Sequence, residues 1–309
     1  VAFRSEFGRP ERNCARMLEL VVQAAANGAG WVCFPEVALQ GYHTDVKLMA
    51  EQAEPLDGLL LGQLRQAAST HSIVVSFGLA LRLPDGRVIN SVTHIGRDGE
   101  LLGDPRCSGK VHVCPGVEQE MFAKPTAEES WSVVDLGFAQ VGSVVCYDAE
   151  FPESSRALAL AGADVILMCF ATGRMDSTGH LATSPADWAV EVQRYAPAIA
   201  YTNRVFVVGC NHAGDVVDDL GVATMAEHPV GATHRWPGYC FALGPDGRTL
   251  AETQRDSNVE EIIYADLDPT LLARWREGIG DMRRYRRPET YTRIAASVSL
   301  AHAYPHHKL

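Results

Sequence analysis

The amino-acid sequence predicts an α/β protein in which two mixed sheets pack together and helices cover each outer face. Three observations lead there. Segments with helical periodicity follow short apolar strand runs, as strand–helix units require. Asp-Gly turns at Pro84-Asp85-Gly86, Arg97-Asp98-Gly99 and Pro245-Asp246-Gly247 join neighbouring runs as hairpins, which adds antiparallel strands. The helices fall early in the chain and again in its middle, so there is one set for each sheet.

Residues 1–7 read as a first strand and residues 10–26 as a helix. The apolar Cys14, Met17, Leu18, Val21, Val22 and Ala25 recur at helical spacing, and Asn27-Gly28 ends the run. Trp31-Val32-Cys33-Phe34 is a continuous apolar strand that stops at Pro35-Glu36. A second helix is expected over 59–69, with strands over 72–81 and 87–95. Residues 101–126 have weak periodicity and read as a long loop with short ordered pieces; a loop of that length inside a compact domain is usually functional. Strands follow at 132–136 and 140–146, a helix at 152–161 and a buried strand at 164–169. A helix at 186–201 and a strand at 205–210 continue the alternation. The polar, irregular stretch 215–237 reads as a lid. Strands at 239–243 and 248–253 form the third hairpin, 261–266 reads as the last core strand, and a helix and an extended tail begin at 269.

A chain of 309 residues can bury one large core. No composition shift or repeat divides it. The net charge of −11 should repel nucleic acid and anionic membrane. No apolar run approaches the length of a spanning helix, and the first residues lack a signal-peptide pattern. None of the cysteines at positions 14, 33, 107, 114, 146, 169, 210 and 240 forms a C-x-x-C pair. That predicts reduced thiols in a cytoplasm, with no disulfide framework and no metal site.

The chemistry centres on Val141-Gly142-Ser143-Val144-Val145-Cys146-Tyr147-Asp148-Ala149-Glu150-Phe151-Pro152-Glu153. An apolar strand delivers a thiol to a strand-to-helix junction, where backbone N–H groups are expected to lower the thiol pKa. Glu36 ends another apolar strand, where apolar surroundings would raise its pKa and suit it to general-base work. Lys110, in Ser108-Gly109-Lys110-Val111-His112, offers a compact ammonium for a developing oxyanion. His112 reads as a structural hydrogen-bonding residue. Glu118 and Glu120 taken alone read as surface acids. Thiol, carboxylate and ammonium together are the parts of covalent acyl transfer.

These motifs, in this order, resemble those of the nitrilase, or carbon–nitrogen hydrolase, superfamily. Phe34-Pro35-Glu36 with Gln40-Gly41-Tyr42 resembles the first-glutamate motif. Gly109-Lys110-Val111-His112 with Glu118 and Phe122 resembles the lysine motif, and Cys146-Tyr147-Asp148 through Phe151-Pro152-Glu153 and Arg156 resembles the cysteine motif. The resemblance covers almost the entire chain. It implies an α-β-β-α sandwich over residues 1–268, a C-terminal extension at 269–309 placed at an oligomer interface, and a homodimer or larger assembly. It also implies a catalytic Glu36–Lys110–Cys146 triad, Glu118 as the second glutamate, and the backbone N–H of Tyr147 as an oxyanion donor. No metal and no organic cofactor is required. Thr202 stands where the family often has glutamate, and Cys114 sits in a short lysine loop.

The activity implied is hydrolysis of a small non-peptide amide to a carboxylic acid and ammonia through a thioester. Tyr147-Asp148 is similar to the amidase and carbamoylase branches rather than to true nitrilases, which tend to show Trp-Glu there. Carbamoyl-amino-acid hydrolases tend to carry arginines at the positions of Ala149 and Glu150. Glu150 therefore favours a neutral or amine-bearing substrate, whereas Arg174 offers a carboxylate partner. Tyr42, His43, Phe170, Ala171 and Thr172 are the expected pocket lining. The alternatives are an N-carbamoyl hydrolase that also releases carbon dioxide, a nitrilase, and a catalytically silent binding member of the family. The histidines of 301–309 are expected to belong to an extension rather than to a metal-binding tail.

Overall fold

The computed structural model describes residues 1–172, 185–222, 231, 233–255 and 257–296. In chain order the elements are α1 (Pro10–Ala26), β1 (Trp31–Cys33), α2 (Val46–Gln52), β2 (Glu54–Pro55), α3 (Leu59–His71), β3 (Val74–Arg82), β4 (Val88–Ile95) and β5 (Leu101–Leu102). Then come α4 (Glu118–Met121), β6 (Val133–Asp135), β7 (Gln140–Val145), α5 (Pro152–Leu160), β8 (Val165–Cys169) and α6 (Pro185–Asn203). The rest are β9 (Phe206–Cys210), β10 (Ala213–Val217), β11 (Thr233–Pro237), β12 (Phe241–Leu243), β13 (Thr249–Glu252) and α7 (Pro269–Trp275).

Local chemistry explains the helix ends. Proline occupies the first turn of α1 and of α5, where its missing N–H removes no bond. The Glu54 carboxylate accepts from Leu60 N and Leu61 N and so caps α3, which has no capping side chain of its own. α1 buries Cys14, Met17, Leu20, Val21 and Ala24 on one stripe.

One sheet runs β1-β3-β4-β5, with β2 also paired to β3; the other runs β13-β12-β9-β8-β7-β6. Both are mixed. β1 and β3 are parallel while β3 and β4 are antiparallel, and β7, β8 and β9 are parallel while β9 and β12 are antiparallel. Three apolar clusters fill the spaces between four layers. Met17, Val21, Leu61 and Leu64 of α1 and α3 pack on Val75, Phe77 and Leu79 of β3. Leu158, Val192 and Ala196 of α5 and α6 pack on Ile166, Met168 and Val207 of the second sheet. Between the sheets, Cys33, Val74 and Val92 meet Val141, Val145, Leu167 and Cys210. β3 is buried on both faces for this reason, and apart from Ser76 and the terminal Arg82 its sequence is apolar or glycine rather than alternating. The four-layer expectation holds.

A buried histidine crosses the interface between the sheets. His94 on β4 bonds through Nδ1 to Ser76 Oγ at 2.8 Å and through Nε2 to Ser143 Oγ on β7 at 3.2 Å. Burial lowers its pKa from 6.5 to about 4, and His212 is lowered to about 4 for the same reason. Both rings are neutral when folded, so the unfolded chain binds the extra protons, and their stabilising contribution is lost as pH falls from about 6.5 towards about 4. We expect each to remove about 3 kcal/mol of stability between pH 7 and pH 4. Urea denaturation across that range tests this: His94→Gln should flatten the pH slope, and an unchanged slope would contradict it.

Several elements differ from expectation. The strand at 1–7 reduces to isolated bridges of Ala2 with Glu261 and Phe3 with His212, because the chain turns at Gly8 with φ 59°. The strand at 261–266 likewise pairs only at Glu261, its partner segment being that short. The expected lid at 215–237 instead contributes an antiparallel ribbon, with Gly214 opposite Trp236 in β10 and β11; residues 223–230 and 232 lie outside the described residues. Helix α2 went unread; the Asp45 carboxylate caps it by accepting from Leu48 N. Beyond 268, α7 packs Leu272 into the core between the sheets, and residues 297–309 lie outside the described residues. No helix among the described residues is long and apolar enough to cross a membrane.

Candidate active site

Glu36 stands just past β1, held by a close approach of two backbones. A Cβ on Gly78 of β3 would lie 2.5 Å from Val37 N and 2.6 Å from Glu36 Cα, so only glycine lets the turn lie against that strand. The main-chain oxygen of Glu36 accepts from His212 Nε2 at 2.7 Å, and Ser5 Oγ donates to Nδ1 of that ring at 2.8 Å. The carboxylate accepts three bonds and keeps one acceptor site on Oε2: Oε1 accepts from Lys110 Nζ at 2.9 Å and Asn90 Nδ2 at 2.7 Å, and Oε2 accepts from Ala171 N at 2.8 Å.

Lys110 follows a short helical turn, and its N–H is fixed to Asn90 O at 2.8 Å. Its ammonium donates at once to Glu36 and, at 2.7 Å, to Glu118 Oε1 at the start of α4. Glu118 is held in turn by Tyr42 OH at 3.0 Å and Cys114 N at 2.6 Å. The three side chains are 0–2% exposed, so water screens none of these charges.

Cys146 directly follows β7 with φ 48°, a left-handed conformation that costs a non-glycine residue about 1–2 kcal/mol. Strain of this kind gathers at functional sites. A helical turn over Cys146–Glu150 begins there, and the first N–H groups of such a turn, that of Tyr147 among them, have no partner within it. The sulfur lies 3.5 Å from Thr172 Oγ1. Asn211 fixes Thr172 by accepting from its N–H and donating to its carbonyl, both at 3.2 Å.

The electrostatics correct one expectation. Burial and the Glu36 carboxylate push the Cys146 thiol well above its ordinary value, against Lys110 and the Thr172 bond. The neighbouring N–H groups therefore do not produce a resting thiolate, because the sulfur is enclosed beside a carboxylate. Burial, then the Glu118 charge, raise Glu36 despite the lysine and Asn90. Burial opposes the Lys110 ammonium, but Glu36, Cys146, Tyr42 and Glu118 outweigh it and hold that pKa well above the usual range. The resting arrangement is a neutral thiol beside a strengthened base and a permanent cation, which suits proton transfer during attack.

Residues 6–277 match the model of the carbon-nitrogen hydrolase family. The chain belongs to that family. It is a hydrolase acting on carbon–nitrogen bonds other than peptide bonds, on the amidase-like branch of the nitrilase superfamily. It is 31% identical over 263 residues to an (R)-stereoselective amidase from Pseudomonas sp, covering 85% of this chain and 82% of the relative. It is 30% identical over 289 residues to a citrullinase from Francisella tularensis, covering 91% and 92%. A carbon-nitrogen hydrolase from Helicobacter pylori G27 shares the fold, with a TM-score of 0.75 at 19% identity over 96% of this chain and 98% of that one.

In this carbon-nitrogen hydrolase the expected pocket residues separate. Phe170, Ala171 and Thr172 form one segment after β8 that meets both Glu36 and Cys146. Tyr42 reaches Glu118. His43 is buried with Gln52, Asp45 and Asp218 as its polar neighbours, and burial lowers its pKa. Glu150 is exposed; partial burial and the nearby Glu191 raise its pKa. Arg174 lies outside the described residues. Sequence reasoning missed Asn90, Asn211 and His212. The signal for Asn90 was present: an amide between Ile89 and Val92 in a strand buried along nearly its whole length needs a polar partner.

Proposed function

We propose that this hydrolase cleaves a small non-peptide amide to a carboxylic acid and ammonia, with Cys146 as nucleophile, Glu36 as base and Lys110 as electrophile. The observation that carries the reading is the buried Lys110 ammonium bonded at once to Glu36 and Glu118, with one segment supplying both the Ala171 N–H on Glu36 and the Thr172 hydroxyl beside the Cys146 sulfur. Glu36 takes the thiol proton as sulfur attacks the amide carbon. The oxyanion is held by Lys110 and the Tyr147 N–H, each donor worth about 3–4 kcal/mol. Glu36 passes the proton to the departing nitrogen, ammonia leaves, and a thioester remains. Water, deprotonated by Glu36, then releases the acid and restores the thiol. Glu118 keeps Lys110 charged and aimed.

The exposed Glu150 beyond the cysteine favours a neutral or amine-bearing amide over an acidic one. The resemblance to a citrullinase favours a second reading, in which a carbamoyl compound yields carbon dioxide as well. A screen of short aliphatic amides, amino amides, carbamoyl amines and nitriles separates them. We expect ammonia and acid without carbon dioxide from an amide. Turnover confined to carbamoyl compounds, with carbon dioxide, would select the second reading. Turnover of nitriles alone, or of nothing in the panel, would overturn both.

A further inference from the structure

Asp148 lies two residues beyond the nucleophile and is 1% exposed. Its carboxylate collects four donors. Oδ1 accepts from His112 N at 2.7 Å and from His112 Nδ1 at 2.8 Å; Oδ2 accepts from Val111 N at 3.2 Å and Val145 N at 3.3 Å. Val111 and His112 directly follow Lys110, and Val145 directly precedes Cys146. One buried carboxylate therefore ties the lysine loop to the cysteine turn. The His112 ring adds a second tie, stacking on Phe151 at 3.7 Å with the planes 6° apart, just before α5.

We propose that Asp148 is a positioning residue that sets the Lys110 ammonium against the Cys146 sulfur. The proposal rests on the catalytic roles assigned above. All four donors of Asp148 belong to Val145 and the lysine loop, and the thiol is not among them. An acceptor-only group is required: asparagine offers one oxygen, and its NH₂ would face backbone N–H groups. Among the described residues the Lys110 ammonium bonds to Glu36 and Glu118, while the placement of its main chain against the cysteine turn depends on the loop that Asp148 anchors.

The test compares wild type, Asp148→Asn and His112→Ala for hydrolysis of the best amide in the panel above. In parallel, alkylation of Cys146 by iodoacetamide is followed against pH by peptide mass. Asp148→Asn should lower kcat about 10²-fold, the scale of a displacement near 1 Å, with KM nearly unchanged. His112→Ala removes one charge-assisted bond and the stack on Phe151 but keeps the three backbone donors of Asp148, so kcat should fall about tenfold. In both variants the alkylation profile should move to higher pH, because a displaced ammonium no longer favours the thiolate. If Asp148→Asn does not fold, His112→Ala decides. Wild-type kcat and an unmoved profile would overturn the proposal, as would activity lost only in step with folded fraction. If the wild type itself releases no ammonia, the catalytic reading fails separately; the alkylation profile still decides whether Asp148 holds the ammonium at the sulfur.

Discussion

Cys146→Ala is expected to abolish amide hydrolysis, lowering kcat by about 10⁴- to 10⁶-fold, the scale seen when a covalent nucleophile is removed. On the proposed roles the thiol forms the acyl intermediate, while Glu36 and Glu118 are bonded to Lys110. Alanine tolerates the left-handed turn no worse than cysteine does, so the thermal midpoint should move little. Two measurements check this: ammonia release, and intact mass after brief exposure to substrate. The wild type should carry an acyl adduct that Cys146→Ala lacks. A variant retaining more than about 1% of the activity would point to a different nucleophile.

Lys110→Met should remove activity and also destabilise the fold, because it leaves Glu36 and Glu118 buried and facing each other without a cation. Breaking a buried pair in this way costs about 3–5 kcal/mol. The loss should depend on pH. Glu36 is already raised by burial, and without the ammonium it needs a proton to stay folded, whereas the unfolded chain ionises it near 4.5. A raised acid contributes stability below its unfolded pKa and loses it as pH rises, so the penalty should be largest at pH 8 and shrink towards pH 5. Urea denaturation of both proteins at the two pH values measures it. Adding Glu118→Gln should restore part of the stability and none of the activity. A penalty independent of pH would mean that the carboxylates find other partners.

How much of this was legible in the sequence follows from how local each signal is. The layers were readable because β8 is apolar on both faces, β3 nearly so, and α1 carries one buried stripe. Glu36 and Cys146 stood out because each lies at the end of an apolar run, and Lys110 because the motifs around all three resemble one family in order. The anchoring of Glu36 was not, since Gly78, Asn90, Ala171 and His212 come from four separate segments. The resting state of the thiol was misjudged for the same reason. Its backbone N–H neighbours are adjacent in the chain, while the carboxylate that opposes ionisation arrives from the other sheet. The ribbon of β10 and β11 was hidden by its polar composition, with arginine and aspartate paired across it.

The reacting groups are split between the two halves of the polypeptide. Everything that binds the ammonium on its carboxylate side precedes residue 122, while the sulfur, its hydroxyl neighbour and the strained turn follow residue 140. On the proposed roles neither half owns a working centre, so turnover would report on whether the inner faces have docked. A break in the connecting stretch would leave one fragment with charge and no nucleophile, and the other with a thiol that nothing activates.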